Sequence, residues 1–468
     1  MTPFFNLTYT KSIISILAIG LLTFIFNLHN PVVREWDEAT YGINAFEMSN
    51  SSQPLVVTFL GQSDVYNSKP PFGVWLMAIS TKIFGFNTFS LRFASAFLSL
   101  LLTLYIFHFI YKQFNNIHWA LISSITLMSS IGFTGWHEAR SGDFDAIVAA
   151  FICVFVLSSF QLLNNNLSKG WLFPFLFLTL ACLTKGVYGL VAIPGVIAFF
   201  IYKNRLKFIM SHWQLYIGTS VFLATFMGYY FIREYLTPGY LNAVLQNEVG
   251  ERIFLEKNIH KTEIPFYYHT LKLLFYRFQP FILLLPFVAY KFWFEPNNKK
   301  RELLAILILA ALSVWTIISF SKTKLVWYDG SLYPLLAILI GYYLSHQTRL
   351  KLKSIYVILG AIWLSVFGLN QCEKDSFKFP DFLNKLRNEN MVTEDLYIYS
   401  SNFEHPIRYY LLKDSLEGNK SIYLNNLNQI PIDGLLILNS KQHLKNIQEP
   451  FVKIDSLENL ILIRLKSK

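Results

Sequence analysis

Three short stretches concentrate the residue types that move protons and hold phosphates: Trp36-Asp37-Glu38-Ala39, Lys69-Pro70-Pro71, and the run Arg140-Ser141-Gly142-Asp143-Phe144-Asp145. A carboxylate such as Asp37 can take a proton from an attacking hydroxyl or amine when its surroundings tune it. An ammonium such as Lys69 is a point charge suited to a phosphate. Each also has a structural reading: Asp37 as a helix cap, Lys69 as a cation snorkelling to headgroups, Asp145 as half of an ion pair at the mouth of an apolar run.

Asp37, Glu38 and Asp145 form the expected catalytic set. Neighbours on a helix point about 100° apart, so Asp37 is expected to be the base and Glu38 a positioning group. If 140–145 is helical, Arg140 and Asp143 lie three apart and can pair, while Asp145 faces elsewhere. Lys69, Arg252 and Lys324 are the expected phosphate partners, with Lys185, His260 and Tyr328 in support. Arg252 and His260 follow Glu248 in one loop, but their spacing matches no metal-ligand pattern. No cofactor is required by these residues, and a divalent ion is left unassigned.

The elements that must carry these residues are membrane helices. Of 468 residues, 53% are hydrophobic and only 15% charged, which is too apolar for a soluble domain of this length. The net charge of +11 is accounted for by basic loops beside membrane helices and needs no nucleic acid. Three cysteines, two of them inside apolar runs, offer neither a disulfide framework nor a cysteine metal site.

The expected architecture is a polytopic α-helical membrane domain, residues 1–369, with about eleven spans starting from an uncleaved first span near Ser12. Pro71 to Phe86 is placed flat on the membrane surface, because only then do the basic loops 203–207, 299–301 and 349–353 fall on the same side as Lys11. That side reads as cytoplasmic. The first loop, the loop near 233–270 and the tail are then extracytoplasmic, on an inner membrane. The tail, 370–468, alternates strand-like runs (395–399, 434–438, 460–464) with helix-like ones (382–388, 405–412), predicting a small α/β domain.

Taken together the landmarks resemble the GT-C integral-membrane glycosyltransferases that include protein O-mannosyltransferases and lipid A aminoarabinose transferases. The resemblance is carried by Asp37-Glu38-Ala39-Thr40-Tyr41, Lys69-Pro70-Pro71, Leu91-Arg92-Phe93-Ala94, Arg140 to Asp145, Leu183-Thr184-Lys185-Gly186, Pro265-Phe266-Tyr267-Tyr268 and Ser321 to Pro334, in that order. It implies inverting transfer of a sugar, hexosyl or pentosyl, from a polyprenyl-phosphate donor to a lipid, glycan or protein acceptor. It also implies Asp37 as base, Lys69 on the donor phosphate and Asp145 as the second-loop acid. One departure stands out: aminoarabinose transferases tend to have Glu before the Lys-Pro-Pro, and this chain has Ser68.

Two other classes fit part of the pattern. A transporter would place its acids near the bilayer midplane on broken helices, whereas these cluster at one surface. An extracellular glycan polymerase or ligase would use a diphosphate-linked donor.

Overall fold

The computed structural model describes residues 8–33, 36–65, 67–164, 170–254, 266–321, 325–347, 351–372, 377–389, 391–392, 395–429, 434–439, 443–444, 447 and 450–466. Its first half runs α1 (Tyr9–Gly20), α2 (Trp36–Asn50), the two-stranded ribbon β1 (Thr58–Phe59) and β2 (Gln62–Ser63), α3 (Phe72–Phe84), α4 (Thr88–Phe114), α5 (Ile117–Met128), α6 (Ile131–Thr134), α7 (Asp145–Asn164), α8 (Leu172–Lys185) and α9 (Ile193–Tyr202). There follow α10 (Leu206–Met210), α11 (Trp213–Leu236), α12 (Tyr240–Val244), α13 (Phe266–Arg277), α14 (Leu285–Trp293), α15 (Asn298–Phe320), α16 (Leu332–Ser345) and α17 (Leu352–Gln371).

Six of these helical stretches are long and apolar enough to cross a membrane, and six shorter ones are apolar. Each of the eleven segments expected as spans coincides with one of the twelve; the remaining one is α3, expected to lie flat. Three boundaries differ: residues 186–190 continue the α8 stretch, so the sixth segment, expected from Val187, becomes a helix of its own only at Ile193. The eighth segment is broken at Gln279-Pro280, because proline supplies no N–H to continue α13 and instead opens the next helical stretch. The third ends at Met128, with α6 a separate turn.

α7 is the central helix, with 89% of its span buried, whereas α17 is peripheral, with 17% of its span buried. Asn87 and Ser90 form a reciprocal capping box at the start of α4, and Asn115 ends it in the left-handed conformation. The basic ends gather: Lys203 pairs with Glu302 at 2.7 Å, Lys299 donates to the Gln113 carbonyl at 3.0 Å, and Lys300 lies 3.0 Å from His346.

The tail forms α18 (Phe379–Asn388), β3 (Leu396–Tyr399), α19 (Glu404–Leu416), β4 (Ser421–Tyr423), β5 (Leu435–Leu438), β6 (Phe451–Leu457) and β7 (Leu460–Leu465). The sheet order is β4-β3-β5-β7-β6, with β3 parallel to both neighbours and β6-β7 an antiparallel pair. Every residue of β5 is buried, as a central strand covered on both faces requires. Leu435 and Ile437 join the main core, while Leu436 and Leu438 pack with Ile461 and Ile463 in a second cluster. The three strand-like and two helix-like runs read in the tail fall on β3, β5, β7, α18 and α19; β4 and β6 carried no such signal.

Candidate active site

The first turn of α2 is fixed by a buried ion pair. Glu38 accepts from Arg92 Nε at 2.6 Å and Nη2 at 2.8 Å, and from the Gly142 amide at 2.8 Å. Arg92 also donates to the Leu28 and Pro31 carbonyls, tying the end of the first helical segment to α4. Burial works to raise the Glu38 carboxyl, but the Arg92 charge and hydrogen bonds together with the Gly142 amide hold it below its ordinary value. Glu38 is therefore locked in place and does not line the cleft that Asp37 lines; its part is positional. Asp37 is partly exposed, and no hydrogen bond or ion pair engages it among the described residues.

Across that cleft stand two lysines. Lys69, at the start of the Lys-Pro-Pro that precedes α3, donates to the Tyr41 hydroxyl, and its ammonium sits 4.8 Å from the Tyr41 ring centroid. Lys185, the last residue of α8, is buried and pairs with Asp145, the first residue of α7. Its ammonium also lies 5.1 Å and 5.2 Å from the rings of Tyr188 and Tyr328. A carboxylate at the first position of α7 is favoured by the free amides there.

Residues 135–144 form turns, not a helix, and that corrects the expected pairing of Arg140 with Asp143. Arg140 instead donates to the carbonyls of Thr23, Phe26 and Asn27. Asp143 receives the Ser141 hydroxyl at 2.7 Å and lies 2.9 Å from His137 Nδ1. Burial works to lower His137, but the charges of Asp143, Asp145 and Asp37 lift it to about 8. Phe144 seats the turn: its ring stacks on Tyr41 at 4.2 Å and lies over Gly73, where a Cβ would come within 2.4 Å of it.

The far wall, Leu325, Trp327 and Tyr328, is braced from behind. Tyr188 donates to the Tyr328 carbonyl at 2.6 Å, and Trp327 stacks on His137 at 3.8 Å. Arg277 pairs with Asp329, donates to the Val326 carbonyl, and reaches the Gly132 carbonyl at 3.1 Å and Glu138 at 3.4 Å. Burial raises Asp329 to about 6 despite Arg277, and burial raises Glu138 as well.

Ser68 donates to Glu248 at 2.7 Å, and both are buried, so a loop distant in sequence brings a carboxylate beside the residue before the Lys-Pro-Pro. The side chain of Arg252, together with His260 and Lys324, lies outside the described residues. Asp37, Lys69, Asp143, Asp145, Lys185 and Tyr328 thus meet in one cleft, while Glu38 and Arg140 stand behind it. His137, Tyr41, Arg92 and Arg277 were not read as site residues. His137 stood next to the run that was singled out and Tyr41 closed the stretch that Asp37 opens, whereas Arg92 and Arg277 are joined to the site only through space.

The tail domain touches this assembly directly. His405 of α19 packs 3.5 Å from the Trp36 ring centroid, 4.9 Å from that of Phe59, and hydrogen bonds Thr40 at 2.8 Å. Tyr410 accepts from the Val33 amide at 2.8 Å. Tyr409 lies against Gly42, where a Cβ would come within 2.8 Å of its ring.

With the geometry established, comparison with other proteins gives a consistent picture. The profile of the dolichyl-phosphate-mannose-protein mannosyltransferase family matches residues 68–230. An uncharacterized protein of Aquifex aeolicus is 26% identical over 353 residues, covering 74% of this chain and 67% of its own length. An undecaprenyl phosphate-alpha-4-amino-4-deoxy-L-arabinose arabinosyl transferase of Serratia proteamaculans is 25% identical over 353 residues, covering 74% of this chain. The chain spans only 61% of that enzyme's length. The crystal structure of ArnT from Cupriavidus metallidurans bound to undecaprenyl phosphate superposes with a TM-score of 0.74 at 13% identity, covering 98% of both chains. The overall fold is therefore shared.

Proposed function

We propose that this multi-pass membrane protein, similar in sequence and in fold to GT-C glycosyltransferases of the protein O-mannosyltransferase and lipid A aminoarabinose transferase type, is an inverting glycosyltransferase using a polyprenyl-phosphate sugar. The observation that carries the reading is a carboxylate, Asp37, left without a partner among the described residues and set in one cleft with Lys69 and Lys185. That is the arrangement an in-line displacement at an anomeric carbon needs. The acceptor's heteroatom bonds to the anomeric carbon, the bond to the phosphate oxygen breaks, and the polyprenyl phosphate leaves with the electron pair. Asp37 takes the acceptor's proton. Lys69 and Lys185 meet the charge that grows on the leaving phosphate, aided by the low dielectric of the cleft. Asp145 holds Lys185 in position, and Tyr41 does the same for Lys69. The undecaprenyl phosphate in the similar crystal structure supports a polyprenyl phosphate as the leaving lipid.

The membrane domain is 1–369 with eleven spans, α3 lying at the surface, and 370–468 is the second domain. The gathered basic ends lie at the helix ends opposite the cleft, so cleft and tail domain belong to the extracytoplasmic face of the inner membrane. The acceptor is a lipid, entering from the bilayer that borders the cleft. In proteoliposomes with labelled polyprenyl-phosphate sugar, labelled lipid product is expected, and Asp37→Asn abolishes it. Uptake without a covalent product would indicate a transporter, label on a glycan or protein would correct the acceptor, and turnover of a diphosphate-linked donor alone would indicate a polymerase or ligase.

A further inference from the structure

Asp37 takes no hydrogen bond or ion pair among the described residues, so the backbone on either side of it must set its place. After it comes Glu38, fixed by Arg92 and the Gly142 amide. Before it stands Trp36, which is 53% exposed and is not fixed by burial alone. What holds Trp36 comes from the tail domain. The His405 ring stacks on it with centroids 3.5 Å apart, and on Phe59 of the β1-β2 ribbon at 4.9 Å. The ribbon is tied to α2 in turn, since Asn44 donates to the Thr58 carbonyl at 2.6 Å and the Gly61 amide to Glu47 at 2.9 Å.

The contact with His405 also has a direction, set by the available protons. The Thr40 hydroxyl has a single hydrogen and donates it to the Trp36 carbonyl at 2.7 Å, because a carbonyl can only accept. His405 Nδ1 lies 2.8 Å from the same hydroxyl oxygen, so the hydrogen in that bond is the imidazole's own. Burial holds His405 below its ordinary value despite the Glu404 carboxylate, so at neutral pH the ring has one N–H, and it is on Nδ1. A chain of hydrogen bonds, from Nδ1 to Thr40 and from Thr40 to the Trp36 carbonyl, therefore runs out of α19 into the turn that carries Asp37. Stacking alone would suit any aromatic ring at position 405, whereas the chain needs a donor there.

We propose that His405 is the positioning residue through which the tail domain sets the Asp37 turn, by donating its Nδ1 hydrogen to Thr40. The inference rests on Asp37 as the base of the transfer read above, and amide exchange tests the hold on the turn without any transfer. Displacing a reacting group by about 1 Å can cost about 10²-fold in rate, so such a hold is felt in kcat.

Three variants of the full-length protein in detergent separate ring from donor. His405→Phe keeps a stacking ring and loses the donor, His405→Asn keeps an N–H close to the Nδ1 position, and Thr40→Val breaks the chain from the α2 side. Deuterium exchange at the amides of Thr40 to Gly42, whose helical acceptors are the carbonyls of Trp36 to Glu38, should quicken at least about tenfold in His405→Phe and Thr40→Val but not in His405→Asn. With labelled polyprenyl-phosphate sugar, kcat should fall at least about tenfold in the first two, and His405→Asn should recover it to within about threefold. The KM for the donor should stay put, because Lys69 and Lys185 are untouched. Unchanged exchange and kcat in His405→Phe overturn the proposal, and so does an equal fall in His405→Phe and His405→Asn, which would make the ring a packing group alone. Faster exchange with full kcat overturns it too. Exchange as expected in a protein that transfers no sugar would overturn the glycosyltransferase reading while keeping His405 as the anchor of the turn.

Discussion

Arg92 and Glu38 meet fork to fork, at 2.6 Å and 2.8 Å, with each side chain only 3% exposed. Removing one partner leaves the other charge buried and unmatched, so Glu38→Ala and Arg92→Met should each destabilise by about 3–5 kcal/mol. Thermal unfolding in detergent checks this. An unchanged midpoint in both would mean the pair does not hold α2.

Its neighbour should behave in the opposite way. Asp37→Asn breaks no contact among the described residues, so the unfolding midpoint should stay put while kcat/KM falls by about 10²–10⁴-fold. Donor binding, measured by quenching or filtration, should persist. If the variant retained full turnover, Asp37 would not be the base.

The two lysines should separate in kind. Lys69→Met should lower kcat/KM by about 10²-fold, the scale of removing one charge-stabilising donor, with little loss of stability. Lys185→Met should lower both, because Asp145 is then buried without its cation. Parallel kinetics and unfolding curves distinguish them.

Stability should depend on pH with two opposed arms. The folded state holds Glu38 below its ordinary value of 4.5, so its contribution is complete above that pH and is lost as the pH falls further. Burial raises Asp329 to about 6, so there the folded state binds the proton more tightly and gains stability as the pH falls from above 6 towards 3.8. Glu138, raised by burial as well, acts in the same direction. Asp329→Asn should flatten the arm between pH 7 and 5, and Glu38→Gln the arm below 4.5, in unfolding midpoints measured across that range.

The tail domain should matter to turnover through α19. Tyr410→Phe removes the acceptor of the buried Val33 amide and should cost about 1–3 kcal/mol. His405→Ala removes the ring packed on Trp36 and should lower kcat more than it raises KM, since it loosens the turn bearing Asp37. Unaltered kinetics in both would make the tail a passenger.

Much of this was legible in the chain itself. Apolar runs mark helices because a membrane span must satisfy its backbone internally, and eleven such runs fall on helices. Short strand-like apolar runs marked β3, β5 and β7, but the three-residue edge strand β4 and the exposed β6 carry too little apolar pattern to be read. The acids and lysines at one surface were visible as types and order, so Asp37, Lys69 and Asp145 could be named without coordinates. Only the tertiary structure decided their partners. Arg92 chose Glu38 across 54 residues, Ser68 found Glu248 across 180, and His137 came beside Asp143 because 135–144 turns where a helix was conceivable. The physical reason is range: helix and span signals are local and periodic, whereas a charge pair is set by which helices pack together, and no spacing along the chain records that.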